Sequence, residues 1–475
     1  MQTDYLIIGS GAVGMAFADT LLTESDAHIT LVDRRAKPGG HWNDAYSFVT
    51  LHQPSAFYGV NSTELGSRRK DDSGPNAGLY ELASGAEINT YYDKLMQQRF
   101  LPSGRVSYHP MSNYVQDGLD GGGGGGGGQI VSILSGSSAP ISVRKKTVDS
   151  TFISPNVPAT HAPQFTVADD VKLVTPNALP QLWLKGLGQS APQQFCVLGA
   201  GKTAMDAVIW LLRNGASPDA ISWVVPRDSW LLDRQQTQPG IEFFNHSMGG
   251  EADKLAAFAA ATSIDDAFLR MEASGQMLRI DPSRTPTMFH YATTSRGEVA
   301  LLRGITQVIR MGRVKAIEPD ALVLDEGRVG MTAGTLYVDC TASAVTYRRN
   351  EPVFQGSRIL VQLLRAPLAV QSAAITAFVE VHGGDDARKN QLCTPVPFPR
   401  DLAGFARATQ VSMMNQFQWS QDKALRQWMR ESRLDGFSKM VADIDKTDKQ
   451  KQAVLARLRA NATAAMSNFA KLASS

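Results

Sequence analysis

Two short glycine turns hold the residues best suited to chemistry: Gly9-Ser10-Gly11-Ala12-Val13-Gly14 near the start of the chain and Gly199-Ala200-Gly201-Lys202-Thr203-Ala204 near its middle. In a turn of this spacing the first glycine permits a tight bend and the second lets backbone approach a pyrophosphate. The third lets the following helix pack closely on the preceding strand, so that helix N–H groups point at the phosphates. Ala204 in the third place is an accepted variant. The residue ending the next strand separates the two copies. Asp33, about 20 residues beyond the first turn, is a carboxylate able to accept ribose hydroxyls. Trp223-Val224-Val225-Pro226-Arg227 instead ends on a guanidinium, which suits a 2′-phosphate that a carboxylate would repel. The second turn therefore points to NADPH rather than NADH. Two readings of Arg227 stand at this level, a phosphate partner or a plain surface arginine.

Both turns lie in the setting that such chemistry requires. Tyr5 to Ile8 is an apolar run, Met15 to Leu22 repeats at helical spacing, and Ile29 to Val32 is a second run ending at Asp33. The second copy runs from Phe195–Leu198 through a helix ending near Leu212 to Ile221–Val225. Two strand–turn–helix–strand units in one chain imply two dinucleotides. The fold class is α/β, with two Rossmann-like dinucleotide-binding domains and a helical C-terminal region. The expected boundaries are 1–190 for the first domain, 191–334 for the second, 335–395 for a return to the first, and 396–475 for the helical region.

Between the units, Val131–Leu134, Ile141–Val143 and Val148–Ile153 read as short strands of an antiparallel excursion. Eight consecutive glycines, Gly121–Gly128, read as a flexible exposed loop within it, either natural low complexity or an engineered replacement. A mostly helical insertion is expected at about 235–294, clearest over Ala252–Ala261. Short strands follow at Val308–Arg310, Val314–Ile317, Ala321–Leu324 and Thr335–Val338, and Lys446–Leu472 reads as an exposed or docking helix.

Composition narrows the partner. The 475 residues are 43% hydrophobic, enough for two or three packed units. With 47 basic against 45 acidic residues the net charge is +2, which offers no long-range pull toward nucleic acid or a membrane surface. A small molecule is the expected partner. Cys196, Cys340 and Cys393 form no CxxC pair, which argues against a disulfide framework, a zinc site or a dithiol redox centre, and no metal is expected. No leader peptide or spanning segment is visible, so a cytoplasmic location is expected. Oligomeric state is not legible.

With these motifs in order, the chain resembles flavin-dependent monooxygenases of the flavin-containing, Baeyer–Villiger and N-hydroxylating type. Four features carry the likeness: the first glycine turn at the N-terminus; Pro38-Gly39-Gly40-His41-Trp42, similar to a Gly-Gly-x-Trp segment; Gly199 to Asp206; and Arg227-Asp228-Ser229-Trp230-Leu231-Leu232-Asp233-Arg234, similar to an Arg-x-x-x-Trp-x-x-x-Arg segment but one residue shorter. The resemblance implies FAD on Gly9, Gly11, Ala12, Val13, Gly14, Asp33, Arg34, Gly40, His41 and Trp42. It implies NADPH on Gly199, Gly201, Lys202, Thr203 and Arg227, with Arg234 assisting. It places His52 and Gln53 of Leu51-His52-Gln53-Pro54-Ser55 beside the reacting edge of the flavin as catalytic candidates, and a plain structural role is open for each.

Val338-Asp339-Cys340-Thr341-Ala342 is similar to a late strand that returns to the FAD sheet, which puts Thr341 and Ala342 near the cofactor. Gln371-Ser372-Ala373-Ala374 is expected to open a helix whose N-terminus faces the pyrimidine of the isoalloxazine. The linker motif of the Baeyer–Villiger and flavin-containing enzymes is not recognisable over Pro155–Leu179. The implied activity is single-component, NADPH-dependent insertion of one oxygen atom from O₂ into a small molecule through a flavin C4a-(hydro)peroxide. The alternatives are an NADPH-dependent FAD oxidoreductase that never oxygenates its substrate, and a nucleotide-binding regulatory protein with a dead flavin site. The sequence names no substrate and does not separate N-, S- or C-oxygenation from Baeyer–Villiger insertion.

Overall fold

A computed structural model describes residues 1–117, 127–184, 192–343 and 345–472. Gly121 to Gly126 of the glycine run lie outside the described residues.

Short apolar runs become parallel strands because they are covered on both faces. The first unit contains β1 (Gln2–Ile8), α1 (Ala12–Glu24), β2 (Ile29–Val32), β3 (Val106–His109), β4 (Ser112–Gln116), β5 (Gly127–Ser132) and β6 (Ser138–Asp149). The second contains β7 (Lys172–Val174), β8 (Phe195–Leu198), α2 (Lys202–Arg213), β9 (Ile221–Val224), β10 (Ser229–Asp233), α3 (Phe244–Ala260), β11 (Met288–Thr294), α4 (Arg296–Arg303), β12 (Gln307–Ile309) and β13 (Leu336–Asp339). After these come β14 (Phe354–Gln355), β15 (Arg358–Leu360), α5 (Ala369–His382), α6 (Leu402–Gln421), α7 (Lys423–Glu431), α8 (Gly436–Ala442) and α9 (Lys449–Leu472). Every residue of β2, β8, β9 and β13 is buried.

Among the described residues, one sheet of eight strands has the order β14-β15-β6-β1-β2-β3, with β4 and β5 forming an antiparallel excursion onto β6. A second sheet has the order β7-β13-β8-β9-β12 and is parallel throughout. The chain is thus a two-sheet α/β protein of Rossmann type with a helical C-terminal region. The expected strand at 141–143 and the first two residues of that at 148–153 belong to one twelve-residue strand, β6, which ends at Asp149 and pairs antiparallel with β5 and parallel with β1.

Two expectations need correction. The strand at Val338 does not return to the first sheet: β13 pairs in register with β8, Phe195 opposite Leu336, and lies wholly in the second sheet. The return comes at β14 and β15, where Arg358–Leu360 pairs with Thr147–Asp149. The insertion, helical over Phe244–Ala260 and Ile264–Ala273, is not helical to its end. Its last part forms β11, where Met288-Phe289-His290-Tyr291 supplies the aromatic, sheet-preferring residues that pair with β10.

The helical region packs on the insertion. In α9, Ala465, Phe469 and Leu472 are buried in the same core as Phe258 of α3. The amides of Asn461 and Asn468 donate to the carbonyls of Ala252, Phe258 and Ala261, so α9 is stitched to α3 as well as packed on it.

Candidate dinucleotide and flavin site

The first turn is closed around by backbone. Gly9 has φ +97°, and a Cβ on Gly14 would stand 2.0 Å from the Gly9 carbonyl oxygen, so no side chain fits at the third position. Gly40, with φ +61°, brings its Cα against that of Gly11, and the Gly39 N–H donates to Ser10 O at 2.9 Å. Helix α1 begins at Ala12 and Val13 with no side-chain cap on Gly11, which leaves its first N–H groups directed at the space a pyrophosphate needs. Asp33 is buried at the end of β2. Its Oδ2 accepts from Ser10 N at 2.6 Å and Ser10 Oγ at 2.8 Å, and its Oδ1 accepts from Arg35 N at 2.8 Å. Part of the carboxylate's capacity therefore holds the turn shut, and one position on Oδ1 is left for a ribose hydroxyl.

Around this turn, Arg34 is exposed, whereas Arg35 pairs with Asp44 at 2.6 Å. His41 and Trp42 lie on a 3₁₀ turn, Gly40–Asp44, and the Trp42 indole donates to the Tyr58 hydroxyl at 2.7 Å. Burial, with Arg35 adding to it and Asp44 opposing it, pushes the His41 pKa down to about 4. His41 is neutral at physiological pH.

The second turn repeats the plan with different packing. Gly199 has φ +117°, and a Cβ there would meet the Cys340 carbonyl oxygen at 2.7 Å. Gly201 faces open space, and α2 likewise lacks a side-chain cap. Ala204 is fully buried, so this turn accepts a methyl group where the first accepts none. Thr341 and Ala342 follow β13 at the same edge, and Thr341 N and Oγ1 both donate to Asp339 Oδ1, at 2.9 and 2.6 Å. Their neighbour is the second turn rather than the first.

The sequence reading missed Ser150. Thr151 bonds to Asp149 as Thr341 bonds to Asp339, and Ser150 N donates to Ile8 O as Cys340 N donates to Leu198 O. The Ser150 hydroxyl sits against both Gly9 and Gly14. Its signal was present: Val148-Asp149-Ser150-Thr151 and Val338-Asp339-Cys340-Thr341 are one Val-Asp-x-Thr pattern, repeated at the strand flanking each turn.

The two cofactor arginines part company. Arg227 is exposed at the end of β9 with no ion-pair partner among the described residues, near His290 and Tyr347, and Arg400 stacks on the Tyr347 ring at 4.6 Å. Arg234 is fully buried: Nε donates to His52 O at 2.9 Å, Nη1 to Asn76 Oδ1 at 3.0 Å, and Nη2 to Thr293 O at 3.2 Å, with Glu298 Oε2 at 2.8 Å. It has no exposed edge to offer a phosphate, and its work is to fasten the His52 loop to the second unit. Lys202 is similarly engaged, with Asp206 and, at 3.9 Å, Glu298. Burial works to raise the Glu298 carboxyl pKa, but Lys202 and Arg234 outweigh it and hold it low. Tyr46, from the first unit, donates to Asp206 Oδ2 at 2.7 Å and lies against Thr203, while Phe48 stacks on Trp210 at 5.1 Å. The side chains of Lys202 and Thr203 thus serve the junction between the units.

His52 and Gln53 stand at that junction, half-buried, with no hydrogen-bond partner for either side chain among the described residues. Burial first, then Lys202 and Arg234, drive the His52 pKa well below the usual imidazole range. Gln371, in the first turn of α5, has its amide nitrogen and oxygen both buried and, among the described residues, unpartnered. Its neighbour Ser372 accepts from Leu364 N at 3.0 Å and Arg365 N at 3.3 Å. A buried primary amide without partners is costly unless something pairs with it, and the N–H and C=O edge of an isoalloxazine pyrimidine supplies both complements.

Residues 7–60 fit the family model for an NAD(P)-binding Rossmann-like domain. Over 472 residues the chain is 42% identical to the uncharacterized protein Rv2000 of Mycobacterium tuberculosis, covering 99% of this chain and 84% of that one. The chain belongs to the family of Rv2000. It is also similar to cyclohexanone monooxygenase in its open crystal form (TM-score 0.48, 12% identity, 80% of this chain and 88% of that one). A flavin-containing monooxygenase from Stenotrophomonas maltophilia gives a TM-score of 0.46 at 12% identity, over 80% of this chain and 97% of that one. Among the described residues no helix is long and apolar enough to cross a membrane, and no group of acidic, histidine or cysteine residues is placed to hold a metal ion. The three cysteines are buried and free, and burial pushes the pKa of each thiol upward.

Proposed function

We propose that the chain is a single-component flavoprotein monooxygenase that binds FAD at the first turn and NADPH at the second. The observation that carries the flavin is the pair of orphaned amide atoms on Gln371, on a helix packed against α1 in the core beneath the first turn. When bound, FAD would supply electron transfer from NADPH and the activation of O₂. The chain's own residues hold and shield. Gly9, Gly11, Gly14 and Gly40 leave room for the pyrophosphate, Asp33 takes a ribose hydroxyl, and Gln371 with the N-terminus of α5 meets the pyrimidine edge. Gly199 and Gly201 cradle the second pyrophosphate, and Arg227 takes the 2′-phosphate.

Burial beside Lys202 and Arg234 disfavours the charged form of His52, and the neutral ring donates at one nitrogen and accepts at the other. Its task, with Gln53, is to orient groups at the reacting edge. The organic substrate is a small molecule, and O₂ is the co-substrate. The test is a turnover under ¹⁸O₂ with NADPH and a metabolite extract. One ¹⁸O atom in a product supports oxygenation, whereas NADPH consumption that ends wholly in hydrogen peroxide or a reduced acceptor leaves a plain oxidoreductase. Protein that stays colourless after incubation with FAD sinks both.

A further inference from the structure

A cavity of about 460 Å³ lies apart from both glycine turns, between the insertion and the C-terminal helices. It is within the size range of small-molecule sites. Its apolar wall includes Met248, Trp419, Met429, Phe437, Val441 and Leu458. The polar groups are unbalanced: three guanidinium groups, Arg365, Arg426 and Arg430, face two carboxylates, Glu251 and Asp435.

The acids are already engaged. Glu251 pairs with Lys254 at 2.6 Å, and Asp435 accepts from Ser438 N and Oγ at the start of α8. The arginines are not. Arg426 makes one bond, to Ser420 O at 2.7 Å, and Arg430 is exposed at the rim. Arg365 is mostly buried, at 20% side-chain exposure, yet its only ion pair among the described residues is a long one, 3.5 Å to Asp435. A guanidinium withdrawn from water with most of its donors unused is unfavourable unless an acceptor arrives. Its planar fork matches a carboxylate bidentately.

We infer that this cavity binds an amphiphilic organic acid, its carboxylate on Arg365 and Arg430 and its apolar body against Trp419, Phe437 and Val441. The inference rests on the cavity alone and stands whether or not the flavin assignment does. It also has a bearing on that assignment. Arg365 is fixed through its backbone by Ser372, next to Gln371, so the carboxylate would lie near the helix end that opens toward the first unit.

The test is isothermal titration of the purified full-length protein with octanoate and 4-phenylbutanoate, and with the corresponding primary amides. The acids should bind at least about 10-fold more tightly than the amides, since a charged hydrogen bond is at stake. Arg365→Gln should shrink that gap below about 3-fold. Arg430→Gln, at an exposed position where folding is not at risk, should narrow it by a smaller factor. Acids and amides binding equally, neither acid binding at millimolar concentration, or a gap that survives both substitutions would each overturn the inference. FAD content, read from absorbance on the same samples, reports separately on the flavin.

Discussion

The two glycine turns share a spacing and differ in what surrounds them. At the first, the strand-end residue is a buried carboxylate that bonds back to the turn, and the third position lies 2.0 Å, for any added Cβ, from a carbonyl oxygen. At the second, the strand-end residue is an exposed guanidinium, unpaired among the described residues, and the third position already carries a buried methyl group. In the proposed assignment the charge at the strand end selects the ligand, while the packing beneath sets how much each position tolerates. The second turn carries one further burden. Its helix contributes Lys202 and Asp206 to a buried charge cluster that locks the units together, while α1 of the first turn adds nothing to that cluster.

The largest effect should come from that cluster. Arg234→Met takes the nearer cation from the buried Glu298 carboxylate and the donor from the His52 and Thr293 carbonyls and the Asn76 amide oxygen, and the loss should be about 3–5 kcal/mol, read as a fall in thermal midpoint and in resistance to urea. A change of under about 1 kcal/mol, the scale of an exposed pair, would erase the distinction between the two turns.

Substitutions at the third glycine position sharpen the contrast. Gly14→Ala should cost up to about 3 kcal/mol by overpacking and give protein that does not retain FAD. Ala204→Gly should cost about 1 kcal/mol, the helix-propensity difference, and leave FAD content unchanged. Equal costs would show that the Gly9 carbonyl relaxes.

Ligand choice is tested at the strand ends. Arg227→Ala should weaken NADPH by about 10-fold or more, corresponding to about 1.5 kcal/mol for a charged hydrogen bond, and leave NADH within about 2-fold. An equal loss for both nucleotides would return Arg227 to the plain surface reading.

The smallest effect concerns pH. His41 beside the first turn is held near about 4 in the folded protein, below its ordinary 6.5. The unfolded chain therefore binds the proton first, and stability present above about pH 6.5 is lost as pH falls toward about 4. His41→Asn should flatten the decline of thermal midpoint over that window. An identical decline in the variant would assign it to other groups.

Much of this was legible from the residues. The glycine spacing, the runs at Tyr5–Ile8 and Phe195–Leu198, and the contrast of Asp33 with Arg227 are local signals, and the fold formed around them as local signals require. Arg234 was not legible, because a guanidinium some way past the end of β9 at Val224 reads the same whether it faces solvent or is fully buried. Its partners, at positions 52, 76, 293 and 298, are far apart in the chain. Ser150 was legible in principle through the repeated Val-Asp-x-Thr pattern, which gains meaning only when both copies are seen beside a turn.

The sequence by itself determined that two dinucleotide cradles exist and which strand-end charge each presents, since these depend on backbone conformation and residue type over a few neighbours. Tertiary structure alone decided that β13 joins the second sheet, that Arg234 and Lys202 serve the junction, and that Gln371 is buried without a partner among the described residues. Each of these depends on which distant segments exclude water from a polar group, and desolvation is a property of the packed chain rather than of any stretch of it.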